Sequence, residues 1–157
     1  MAGEEAVQRR AQPFARPGET RDAGMNRILL AYGATLVAFV CIDMVWLLVL
    51  ARGYYRAQMG DLIAEKPVLP AAFLFYALFA IGLVIFGVMP GLREYSWKPA
   101  LLYGALFGFF AYATYDLTNL AVVRNWPVAL SIVDLAWGTV LAGTCAVIGY
   151  FAASVVP

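Results

Sequence analysis

Residues 28–51 read Ile-Leu-Leu-Ala-Tyr-Gly-Ala-Thr-Leu-Val-Ala-Phe-Val-Cys-Ile-Asp-Met-Val-Trp-Leu-Leu-Val-Leu-Ala, an apolar run broken by a single charge, Asp43. Wound as a helix at about 1.5 Å per residue, it is long enough to cross the roughly 30 Å hydrocarbon core of a bilayer. Three more runs follow at 70–89, 100–123 and 128–151. The second carries no charge, the third carries Asp116 and the fourth Asp134. In lipid an open-ended segment satisfies its own backbone only as a helix. The expected fold is therefore all-α: a polytopic membrane protein built as a four-transmembrane-helix bundle.

Composition agrees with this reading. The chain is 63% hydrophobic and 13% charged, whereas soluble domains run near 45–50% and about 25%. Mean hydropathy is +0.76, so the expected surround is a lipid bilayer. A net charge of +1 suggests no nucleic-acid partner. There is no histidine, which excludes His-ligated haem or zinc and any Ser-His or Cys-His nucleophile. Cys41 and Cys145 both fall inside apolar runs and form no CxxC pair; they read as small core residues. No cofactor or resident metal is implied.

Residues 1–25 are polar, with Gly and Pro scattered among charges, and are expected to be a disordered N-terminal tail. Met25 directly precedes the first apolar run and is an alternative start that would remove the tail. The run resembles a signal peptide only superficially, because it is too long and has no small-x-small cleavage site. Residues 26–157 then form a single transmembrane domain. Between the first two spans, Tyr55, Met59, Leu62 and Ile63 recur at helical spacing, as in a short helix lying in the interface. Residues 124–127, Arg-Asn-Trp-Pro, read as a tight turn with Trp126 at headgroup level. Arg9, Arg10, Arg16, Arg21, Arg27, Arg93 and Lys98 fall on one side of the membrane, and Arg52, Arg56, Lys66 and Arg124 on the other. That bias puts both termini in the cytoplasm; a start at Met25 erases it.

The chemistry-bearing residues are the three acids. An Asp at a helix centre costs about 2.5–3.5 kcal/mol on insertion scales, so it faces protein or water rather than lipid. Because successive helices alternate in direction, Asp43, Asp116 and Asp134 all lie roughly 9–12 Å below the same membrane face. If their helices touch, they form one cluster. Gly104, Gly108, Tyr112, Asp116 and Asn119 make one stripe, with Tyr115 beside it. Asp134, Gly138, Ala142 and Ala146 make another, flanked by Trp137, while Asp43 and Trp46 share a face. Small residues in these stripes call for close helix contact. The candidate polar site is Asp43, Trp46, Tyr112, Tyr115, Asp116, Asn119, Asp134 and Trp137. Asp43-x-x-Trp46 and Asp134-x-x-Trp137 are a faint internal echo on helices of opposite direction. The charge-free second helix is expected to pack at the periphery or to plug the bundle with Tyr76, Phe79 and Gly82.

Several stretches resemble a bacterial family of small predicted membrane proteins catalogued as domain of unknown function 2177. They are Ile42-Asp-Met-Val-Trp-Leu47, Phe75-Tyr-Ala77, Gly104-Ala-Leu-Phe-Gly108, Trp126-Pro127 and Val133-Asp-Leu-Ala-Trp-Gly-Thr139. The most specific is Tyr112-Ala-Thr-Tyr-Asp-Leu-Thr-Asn-Leu-Ala121. The resemblance covers about residues 26–151 and implies a four-helix, multi-pass protein of the bacterial inner membrane; the polar tail departs from it.

Three classes of function fit. The first is proton- or cation-coupled, or small-molecule-coupled, transport at the acid cluster; four helices are few for a carrier, which points to a homo-oligomer. The second is an enzyme or accessory factor in lipid modification, with the acids as general acid and base or as oxygen ligands for a magnesium-like ion. The third is a structural subunit of a membrane complex, with the acids as interhelical hydrogen-bond anchors.

Overall fold

The computed structural model describes residues 17–64 and 66–156. Its first helix, α1, spans Pro17–Val45 and continues through a wide π turn at Trp46–Leu50. A short helix α2 (Arg52–Met59) and a 3₁₀ turn (Gly60–Leu62) lead to α3, Leu69–Leu83, which runs on through a second π turn (Val84–Val88) to Met89–Arg93. The chain ends in α4 (Trp97–Val122) and α5 (Val128–Ser154). Among the described residues, four helices are long and apolar enough to cross a membrane: Gly24–Leu50, Leu69–Arg93, Trp97–Val122 and Val128–Ser154. The protein is a multi-pass membrane protein.

Two boundaries differ from expectation. Helix α1 starts at Pro17 instead of Ile28, with proline at a first-turn position where its missing N–H costs nothing. Residues 17–25 thus extend the helix, while the tail expected at 1–16 lies outside the described residues. The loop expected at 90–99 shrinks, because α3 runs on to Arg93. Pro90 falls just past the wide turn, and Pro99 sits in the first turn of α4, so neither breaks a helix. Ser96 caps α4, its hydroxyl accepting from the Lys98 backbone N–H. The tight turn before α5 holds Asn125 at φ 61°, a left-handed conformation that asparagine tolerates. There the Trp126 indole donates to the Ser131 hydroxyl at 2.9 Å.

Helix α5 is the hub, packing most extensively on α4 and next on α1. Helix α3 closes the fourth side. It meets α4 along Val84–Arg93 and diverges from it toward the Leu69 end, leaving a wedge between the two. The α4–α5 seam is close because it is built from small residues. A methyl at Gly108 would collide with the Gly138 carbonyl and Ala142, and one at Gly104 with Ala146. Phe39, Phe79, Leu83, Val84, Val88, Leu141, Ala142, Cys145 and Ala146 form the dry core. Of the three residues expected to plug the bundle, Phe79 is buried in this core, and Tyr76 and Gly82 are half-buried. Hydroxyls on lipid-facing positions bond to their own helices: Thr114 to the Phe110 carbonyl, Thr118 to Thr114 and Thr144 to Val140.

Gly108→Ala is expected to destabilise the bundle by roughly 1–3 kcal/mol through overpacking. Gly33→Ala, which has open space around it, is the neutral control. Thermal unfolding of both variants in detergent checks this.

Candidate functional site

The three acids lie about two turns from helix ends that share one side of the bundle, the side of α2. All are buried: Asp43 4% exposed, Asp134 6% and Asp116 0%. Their surroundings separate them into a pair and a single residue.

Asp43 and Asp134 line one cavity of about 510 Å³, within the range of small-molecule sites. It occupies the wedge between α3 and α4 and is walled by Phe75, Tyr76 and Phe79 of α3, Ala111, Tyr112 and Tyr115 of α4, and Trp137 of α5. Leu47 and Tyr55 roof it. Phe75 and Tyr115, 44% and 56% exposed, stand at its rim. Both oxygens of Asp43 accept hydrogen bonds, one from the Tyr76 hydroxyl at 2.6 Å and one from the Trp137 indole N–H at 3.1 Å. Asp134 accepts from the Tyr55 hydroxyl, which in turn accepts from the Trp46 indole at 3.3 Å. The rings of Trp46 and Trp137 stack at 4.2 Å and 10°. Each tryptophan thus serves the aspartate of the other's helix, Trp137 directly and Trp46 through Tyr55.

Asp116 points elsewhere. It does not line the cavity, and its neighbour on α5 is Ser131. Neither of its oxygens has a hydrogen-bond partner among the described residues, and neither does Asn119 Nδ2 on the same stripe. The single three-acid cluster expected from depth alone is therefore divided. Among the described residues, no three acidic or thiol side chains come close enough to hold one ion. Of the expected site residues, Asp43, Tyr112, Tyr115, Asp134 and Trp137 share the cavity, and Trp46 braces it from behind. Asp116 and Asn119 do not share it.

A model of the family described as predicted membrane protein (DUF2177) matches residues 28–151. The chain belongs to this family. Its match covers the second and third spans, most of the first and fourth, and every residue of the cavity. No curated protein and no solved structure matches the chain.

Two site residues were missed from sequence. Tyr76 sits on the charge-free helix, where nothing ionisable drew attention to it. Tyr55 was read only as part of an apolar stripe on α2, and its hydroxyl gave no sign that it would turn inward to an acid. On α2 the covered positions are Tyr54, Tyr55, Gln58 and Met59, while Arg52 and Arg56 are exposed. This face lays the helix across the cavity mouth.

Tyr55 is outside the spans. Burial, reinforced by its bond to Asp134, pushes its hydroxyl pKa above the ordinary value of about 10. The folded protein therefore holds this proton more tightly than the unfolded chain does. The stability it contributes is complete below about pH 10 and is lost as the pH rises further. Tyr55→Phe is expected to flatten the alkaline end of a melting-temperature profile taken from about pH 8 to 11. An unchanged alkaline slope would show that the bond does not latch α2.

Proposed function

We propose that the protein binds a small, partly apolar molecule within the membrane and carries it in exchange with protons at Asp43 and Asp134. The observation that supports this reading is the division of the bundle into halves. One half holds a ligand-sized cavity with two carboxylates, and the other is filled by the dry core around Leu83, Val88, Leu141 and Ala146. A channel needs a continuous polar path, whereas a carrier needs a site reached from one side at a time. Two carboxylates sharing one low-dielectric cavity repel, and either a proton or a ligand relieves that repulsion. Competition between the two is what couples a proton to a solute.

The wide turns at Trp46–Leu50 and Val84–Val88 support movement, because such irregularities mark places where a helix shifts register. One lies beside the cavity and the other in the closed half. We assign the protein to a bacterial inner membrane with both termini cytoplasmic, from the excess of basic residues on the terminal side, and take a homo-oligomer as the working unit. A second reading, lipid modification, is favoured by Arg52 and Arg56, exposed on α2 beside Tyr55 where lipid phosphates lie.

The test is proton flux in proteoliposomes with an entrapped pH indicator and an imposed pH gradient. Cationic, neutral and anionic aromatic solutes are added in turn. At least one class is expected to discharge the gradient with the wild type and not with Asp43→Asn. No discharge by any solute would contradict the carrier reading. A lipid species lost from membranes on deletion of the gene, and restored with it, would favour the second.

A further inference from the structure

We infer that the cavity selects organic cations with an aromatic or otherwise apolar body, and this inference rests on the binding role proposed above. Asp43 and Asp134 put two acidic side chains on its wall, and among the described residues no lysine or arginine lines it. Arg52, Arg56, Lys66 and Arg124 are on the same side of the bundle, but all are exposed and none reaches the lining. Three of the five aromatic donors that line it are already spent on the acids, while the Tyr112 and Tyr115 hydroxyls bond to neither Asp43 nor Asp134. Tyr76 and Trp137 occupy one oxygen each on Asp43, and Tyr55 occupies one on Asp134. The second oxygen of Asp134, on a side chain 6% exposed, accepts no hydrogen bond from any described residue. An anion entering here would meet two acidic side chains, against which only the Tyr112 and Tyr115 hydroxyls are left to donate. A cation would meet spare lone pairs and the faces of aromatic rings, which attract it most strongly when it is desolvated.

Shape agrees with charge. The wedge between α3 and α4 opens past Phe75 and Tyr115, which are exposed on the bundle surface at the depth of the spans. An apolar body reaches the site from the bilayer along this route, with the charge drawn inward to the acids. A small hydrated metal ion gains little from such apolar walls, and among the described residues no third acidic or thiol side chain is near enough to join the two acids.

The test uses two probes of nearly the same shape and opposite charge, tetraphenylphosphonium and tetraphenylborate. Binding to the purified full-length protein is measured by titration calorimetry in an uncharged detergent, with detergent-only blanks subtracted. Tetraphenylphosphonium is expected to bind, and tetraphenylborate to give no protein-dependent signal. Asp134→Asn should weaken tetraphenylphosphonium by about tenfold. Tyr112→Leu, which leaves every carboxylate hydrogen bond in place, should weaken it several-fold and serves if Asp134→Asn does not fold. Equal binding of both probes, or preference for the borate, would overturn the cation assignment. Unaltered tetraphenylphosphonium affinity in a folded variant of either kind would also overturn it, by removing binding from this cavity. These outcomes are separable from the carrier reading, because a neutral or anionic solute that discharges the gradient keeps the carrier and discards the cation.

Discussion

A carboxyl group placed in hydrocarbon must find protein partners or a wet cavity, and the arrangement of this bundle follows from that requirement at Asp43 and Asp134. Each costs about 2.5–3.5 kcal/mol to insert, while an interhelical hydrogen bond in a membrane returns about 0.6 kcal/mol on average. Two bonds to Asp43 and one to Asp134 do not offset those costs. The acids are therefore a load on stability, carried by packing elsewhere. The close α4–α5 seam at Gly104, Gly108 and Gly138 and the dry core behind it supply that packing. A stability cost kept beside a cavity supports the binding role proposed above.

The tryptophans show how the load is shared. Asp43 and Trp46 are one turn apart on α1, and Asp134 and Trp137 are one turn apart on α5, which runs the opposite way. The stacked indoles cross between the two helices. Trp137 reaches Asp43, and Trp46 reaches Asp134 through the Tyr55 hydroxyl. The sequence echo thus corresponds to a reciprocal brace. Its two arms differ, because Asp134 depends on a residue of the surface helix α2, whereas Asp43 is held by Trp137 of α5 and Tyr76 of α3, both within the membrane. Movement of α2 would release Asp134 alone.

The spans, their number and the common depth of the acids were legible because hydropathy and helix rise fix them. The small-residue stripes were legible too, since close helix approach leaves glycine and alanine at regular spacing. Rotation about the helix axis was harder to read. Asp116 lies one turn beyond Tyr112 on the same stripe, yet the two face different surroundings, one toward Ser131 and the other into the cavity. The wide turns in α1 and α3 have no signature in composition, since an extra residue in a turn is a settlement between neighbouring helices. Tyr55 and Tyr76 read from sequence only as an interfacial and a packing residue for the same reason: a tyrosine becomes a partner for a buried acid only through tertiary placement.

That the bundle is open in the half that holds Asp43 and Asp134 and sealed in the other is open to direct experiment. The most direct measurement is thiol accessibility in membranes, in a background where Cys41 and Cys145 are replaced by Ser and Ala. Cysteines introduced at Ala72 and Ala111, on the cavity wall, should react with a small membrane-permeant maleimide, which can enter between α3 and α4, and a cysteine at Ala142, in the dry core, should not react. Reaction at Ala142, or silence at both Ala72 and Ala111, would contradict the account.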